Sequence, residues 1–122
     1  MADDRAALGV FGEQVAVTYL RDKGWEILDR NWRCARGELD IVARAPSGEV
    51  VIVEVKARRT LRAGEPIEAV TWRKLARLRS LSAQWLQDHP QGGRAGVRFD
   101  VVGVLVGVGR PTQVRHVMGV AP

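Results

Sequence analysis

The apolar run Val50-Val51-Ile52-Val53, rich in β-branched residues, leads straight into Glu54-Val55-Lys56. Such a run reads as a buried central strand. Successive strand residues point to opposite faces, so Glu54 and Lys56 share a face with Val50 and Ile52. Charged side chains there are costly unless they are paired or hold an ion. Whatever the chain builds must provide for that pair.

The preceding segment, Gly37-Glu38-Leu39-Asp40-Ile41-Val42-Ala43, is joined to this strand through Pro46-Ser47-Gly48. The linker fits a three-residue hairpin loop, with Pro46 at the second turn position and Gly48 free to adopt positive φ. That loop pairs Ala45 with Glu49. Val42 then faces Ile52, Asp40 faces Glu54, and Glu38 faces Lys56, each pair about 5 Å apart at Cβ. Leu39, Ile41 and Ala43 fall on the other face with Val55, Val53 and Val51. A one-residue slip would scatter the charges over both faces.

Three carboxylates this close repel and do not all ionise unless something positive sits among them. A hard divalent cation with oxygen ligands answers that need: Mg²⁺, with Mn²⁺ as a substitute. Asp40, Glu54 and Glu38 are the candidate metal ligands. Lys56 adds a positive charge able to hold an attacking water or a phosphate oxygen. The competing reading is a pair of surface salt bridges across a hairpin, which the flanking apolar run opposes.

Around this centre the chain reads as one α/β domain over residues 1–122. Residues 1–23 predict a helix, capped by Asp3 or Asp4 and closed by Gly24, with Leu8, Phe11, Val15, Tyr19 and Leu20 as its buried stripe. Gly9 and Gly12 are poor helix formers there, which suggests close approach to a neighbouring backbone. Glu13 lies on the margin of the stripe. Residues 25–32 predict a first strand, with Trp25 and Ile27 inward and Leu28 a further candidate for that face; Arg30, Arg33 and Arg36 follow towards the hairpin. Trp32 fits either a core position or a base-stacking one. Pro66 opens a second helix running to Asp88, packed through Leu75, Leu78, Ser82, Trp85 and Leu86. Strands follow over 97–106 and 112–120, the last at an edge. Asp100 suits a structural or supporting role better than that of a ligand.

Nineteen basic residues meet fourteen acidic ones, a formal net charge of +5. With several acids gathered in the polar island, the remaining surface is more basic still, which favours nucleic acid as partner. Arginine greatly outnumbers lysine, and its fork suits phosphate oxygens. Candidate contacts are Arg33 and Arg36 before the hairpin, Arg58 and Arg59 after the central strand, and Arg73, Lys74 and Arg77 on the second helix. Cys34 is the single cysteine, so no internal disulfide forms. His89 and His116 lack zinc-pair spacing. No leader or membrane-spanning run is read, so the expected location is the cytoplasm, with no membrane partner.

Asp40, a spacer, then Glu54-x-Lys56 on a hairpin resembles the PD-(D/E)XK nuclease superfamily, with Leu39 in place of the proline. Across nearly its whole length the chain resembles the bacterial YraN family of endonuclease-like proteins, through Gly12-Glu13, Ala16, Tyr19-Leu20, Arg30-Asn31, Gly37-Glu38-Leu39-Asp40, Val53-Glu54-Val55-Lys56, Glu68-Ala69-Val70 and Arg98-Phe99-Asp100-Val101. The resemblance implies a restriction-endonuclease-like fold, a mixed β-sheet flanked by helices in the order α-β-β-β-α-β-β. It implies a metal-dependent endonuclease acting on structured or branched DNA, similar to Holliday-junction resolvases and hence a homodimer. Asp40, Glu54 and Lys56 would be catalytic, and Glu13 would join them as the helical glutamate of the resolvases. The alternative is a nuclease-fold module that binds DNA without cutting it.

Overall fold

The computed structural model describes residues 2–62, 64–90 and 92–120. Its centre is a five-stranded sheet in the order β1-β2-β3-β4-β5, formed by Glu26–Cys34, Gly37–Arg44, Val50–Arg58, Val97–Leu105 and Gln113–Val117. All neighbours are antiparallel except β3 and β4, which run parallel and are joined by a crossover. That crossover contains a 3-10 helix, Pro66–Ala69, and helix α2, Trp72–Asp88; helix α1, Ala2–Asp22, precedes the sheet. The arrangement is a mixed-sheet α/β fold with the order α-β-β-β-α-β-β, in agreement with a restriction-endonuclease-like architecture.

Each face of the sheet is covered by one helix. Ala16, Val17 and Leu20 of α1 pack on Ile41, Ala43, Val51, Val53, Val102 and Val104. Leu75, Leu78, Leu81 and Trp85 of α2 pack on Leu39, Val42, Val50 and Ile52. β3 is therefore buried from both sides along its first half, as its continuous apolar run requires.

The hairpin register follows its loop. The Ala45 amide donates to the Glu49 carbonyl at 3.0 Å and the Gly48 amide to the Ala45 carbonyl at 2.8 Å, with Gly48 at φ 94°. Val42 faces Ile52 and Ala43 faces Val51, as the three-residue turn demands. α1 ends at Gly24, φ 84°, where the Trp25 amide returns to the Leu20 carbonyl.

Several details differ from the sequence reading. α1 already includes Asp3 and Asp4, so neither stands before it as a cap. Its buried face is Gly12, Ala16, Val17 and Leu20, while Phe11 is 45% exposed. Gly12 does sit against a neighbouring strand: a Cβ there would lie 2.6 Å from that of Ala57, whereas one on Gly9 would meet nothing within 4 Å. Arg30 and Arg33 lie on β1 rather than in a loop, because β1 continues to Cys34 and turns through Ala35 and Arg36 alone. The second helix is split. Val70 is extended, and Thr71 caps a fresh start by accepting from the Lys74 amide at 3.3 Å. The last strand stops at Val117, short of the expected 120.

The largest difference concerns Leu39. It packs with Val42 under α2, whereas Ile41, between them, faces α1. Alternation therefore breaks at Asp40. Opposite Asp40 stands Asn31, between the paired residues Arg30–Ile41 and Trp32–Leu39, at φ 52°. Among the described residues it is the sole non-glycine with positive φ. Asparagine tolerates this left-handed conformation better than most residues, and the local distortion turns Leu39 to the opposite face.

Candidate active site

Regular β2–β3 pairing ends at Ile41–Val53. One residue further, the strands part, and the Asp40 carboxylate accepts the Val55 amide at 2.8 Å in place of a backbone partner. Asp40 thus occupies a notch in the sheet. Glu54 stands across it, in hydrogen-bonding contact with Asp40. Burial pushes the Glu54 carboxyl up to about 8; the hydrogen bond and negative charge of Asp40 add to the rise, and Lys56 and Lys74 oppose it. Held out of water beside a second carboxyl, Glu54 keeps its proton near neutral pH unless a cation replaces it.

Lys56 follows on the same face. The cleft around it, about 310 Å³, is lined by Asp40, Glu54, Lys56, Lys74, Arg77 and Leu78. Lys74 and Arg77 come from the first turns of α2, on the flank beside its buried Leu75 and Leu78. The nearby charge of Lys56, then burial and a Lys56 contact, lower the Lys74 ammonium from its ordinary value, while Glu54 draws it back. The two strands and the crossover helix thereby place three carboxyls, Glu38, Asp40 and Glu54, and three cations around one opening.

The family model described as "Uncharacterised protein family UPF0102" matches residues 12–104. The chain is 51% identical over 116 residues to a UPF0102 protein of Kineococcus radiotolerans, covering 94% of this chain and 93% of that one. It is 49% identical over 119 residues to a UPF0102 protein of Mycolicibacterium vanbaalenii, covering 98% and 97%. The chain belongs to the UPF0102 family.

Of the resemblance drawn from the sequence, membership in the YraN-type bacterial family is met, and the matched span of this UPF0102 chain contains Glu13, Asp40, Glu54 and Lys56 together with both helical cations. The remaining candidates are distributed as follows. Glu13 of α1 accepts from Arg30 Nε at 3.2 Å and from Asn31 Nδ2 at 3.1 Å. It faces a second cleft, on the α1 side of the notch, which it shares with Asp40. Glu38 lies at the rim of both clefts but is 44% exposed and paired with Arg33 Nε at 3.0 Å. It does not stand opposite Lys56 in the ladder as counted from the turn, because the ladder has ended by then.

Among the basic candidates, Arg36 donates to Ser80 Oγ of α2 at 3.1 Å. Arg58 ends β3 and Arg59 follows it, exposed; neither they nor the exposed Arg73 line these two clefts. Trp32 packs on the α2-side core.

Asp100 lies on the opposite face from Glu54 and is 1% exposed. It accepts from Arg98 Nε at 2.9 Å and Nη2 at 3.1 Å, and from the Gly119 amide at 3.0 Å; His116 Nε2 is 2.7 Å away. Burial raises its pKa, but the hydrogen bonds and charge of these partners outweigh that and hold it below the usual carboxylate value. His116 Nδ1 in turn contacts the Tyr19 hydroxyl at 3.1 Å, tying α1 to β5. The arrangement is structural, as the sequence suggested for Asp100. What periodicity did not reveal is Asn31; its one signal is an asparagine inside a strand, a residue type that admits left-handed backbone.

Proposed function

We propose that this protein is a metal-dependent endonuclease of the PD-(D/E)XK type, hydrolysing phosphodiester bonds in structured DNA. The observation that carries the reading is the contact of Asp40 with Glu54 in a cleft that also holds Lys56, with the Glu54 carboxyl pushed up to about 8. Perturbed groups in a cleft are the usual mark of a chemical site.

Mg²⁺ suits the donor set. This ion keeps several waters and is held by one or two carboxylates together with substrate phosphates. Asp40 and Glu54 are such a pair; among the described residues they are not joined by a third acidic, histidine or cysteine side chain in a group able to hold a metal ion. When bound, the cation supplies positive charge against the scissile phosphate. Asp40 stays anchored by the Val55 amide, which fixes its orientation. Lys56 lies beside the acid pair; its ammonium cannot ligate a cation and instead holds the attacking water or a phosphate oxygen. Lys74 and Arg77 offer charge to the neighbouring phosphates, and Arg is suited to gripping them with two N–H groups.

The test is cleavage of linear, flapped and four-way DNA by purified protein in Mg²⁺, Mn²⁺ or EDTA. Metal-dependent cleavage is expected, and Lys56→Ala should remove it while binding of DNA and metal persists, since an interaction made only in the transition state affects turnover alone. Tight binding by the wild type with no cleavage in Mn²⁺ would replace the enzyme with a non-catalytic DNA-binding module.

A further inference from the structure

We infer that the cleft on the α1 side of Asp40 receives an unpaired base of the DNA whose phosphate lies in the cationic cleft on the α2 side. This rests on the nuclease reading above and names its substrate class: DNA with an unpaired or readily extruded nucleotide, rather than continuous duplex.

The two clefts meet at Asp40 and Val55 but differ in character. The α2-side cleft presents Lys56, Lys74 and Arg77. The α1-side cleft is larger, about 730 Å³, within the range of small-ligand sites. Its apolar lining comes from Ala6, Gly9, Val10 and Val55. Its charged lining is Arg5, Glu13, Arg33, Glu38 and Asp40, three carboxylates to two cations; Glu13 is held by Arg30 and Asn31, Glu38 by Arg33, and Asp40 by the Val55 amide. Apolar surface beside satisfied polar groups suits a flat, neutral ring with hydrogen-bonding edges. With more carboxylates than cations in its lining, this cleft suits a phosphate less well than the other, where Lys56, Lys74 and Arg77 gather. One nucleotide astride the notch meets both demands.

Gly9 supports the assignment independently. Gly12 lacks a side chain because Ala57 leaves it no room, but nothing within 4 Å explains Gly9, which weakens its helix. Gly9 lines the cleft, and a side chain there would project into open space. Its neighbour Val10 is 69% exposed, an apolar surface left uncovered beside the same opening. A base stacked and paired in continuous duplex cannot enter a cleft of this kind. Extrusion costs least where the base is already unpaired, as at a flap or branch.

The test is a fluorescence-anisotropy titration in EDTA, comparing a continuous duplex with a flapped DNA of the same length. Wild type is expected to prefer the flap by at least about tenfold, since unstacking a paired base costs a few kcal/mol and each 1.4 kcal/mol is a factor of about ten. Gly9→Trp should erase that preference, and Gly9→Ala should keep it. A second measurement uses wild type alone, so it does not depend on how the variant folds: 2-aminopurine at the flap junction should change its fluorescence when protein binds. Equal affinity of wild type for flap and duplex, an undiminished preference in folded Gly9→Trp, or a silent 2-aminopurine signal would each overturn the inference while leaving the nuclease reading in place. Absence of binding to either DNA would instead remove that reading and this inference with it.

Discussion

The Asp40 carboxylate accepts the Val55 amide at 2.8 Å, taking a place that β2's backbone leaves empty where the two strands part. The residue that faces Glu54 is therefore also the one that satisfies β3 at the edge of the notch. Structure and proposed chemistry meet in one side chain: a part-buried amide left without an acceptor would be costly, and its partner is the carboxylate we propose holds a cation.

Asp40→Asn can still accept that amide but loses its charge. Millimolar Mg²⁺ or Mn²⁺ is expected to raise the melting temperature of the wild type and not of this variant. At a hundredfold excess over Kd the stabilisation would reach about 2.7 kcal/mol. Differential scanning fluorimetry with and without metal reads the difference directly; equal responses in the two proteins would count against a cation at Asp40.

Glu54 gives a pH signature in EDTA. Its folded-state pKa is raised from 4.5 to about 8, so folding favours the protonated form. The stability this contributes is fully present below 4.5 and is lost as pH rises through about 8. Urea unfolding between pH 5 and pH 9 should therefore show wild type losing stability relative to Glu54→Gln, which has no proton to release there. Parallel curves would contradict the assignment.

The two α1 glycines should respond in opposite directions to the same substitution. Gly9→Ala meets open space and should stabilise by about 0.5–1 kcal/mol through helix propensity. Gly12→Ala drives a Cβ to 2.6 Å from the Ala57 Cβ, which cannot rotate away. Overpacking of this sort typically costs about 1–3 kcal/mol. Denaturant midpoints for the pair decide the matter, and a stabilised Gly12→Ala would refute the packing described.

Removal of Asp100 should weaken the fold without touching the metal response. Asp100→Ala leaves Arg98 and His116 without their buried acceptor, and breaking a buried ion pair costs about 3–5 kcal/mol. The carboxyl's pKa is depressed, so its contribution is present above the ordinary aspartate value and is lost as pH falls through the folded one. Acid titration of wild type against the variant should therefore converge at low pH. A Mg²⁺-induced rise in melting temperature should persist in Asp100→Ala, because Asp100 faces away from Glu54.

Short-range chemistry was enough to read much of this molecule. The Pro46-Ser47-Gly48 turn sets the hairpin register, and the β-branched run marks the strand buried on both faces. Gly24 ends α1, and the turn count places Asp40 near Glu54 and Lys56. These depend on a few neighbouring residues whose backbone preferences act alike in any fold.

Only the assembled structure decided the rest. Lys74 and Arg77 reach the cleft because the β3–β4 crossover lays α2 across that face, and a charge pattern on one helix cannot say which flank it will present. Asp40 opens onto two clefts because Asn31, on another strand, takes a left-handed backbone opposite it and Leu39 lies on the α2 face. The rise of Glu54 to about 8 depends on how much water the packed elements exclude. Faces, clefts and desolvation are properties of contacts between distant segments, and these exist only once the sheet and both helices have closed on one another.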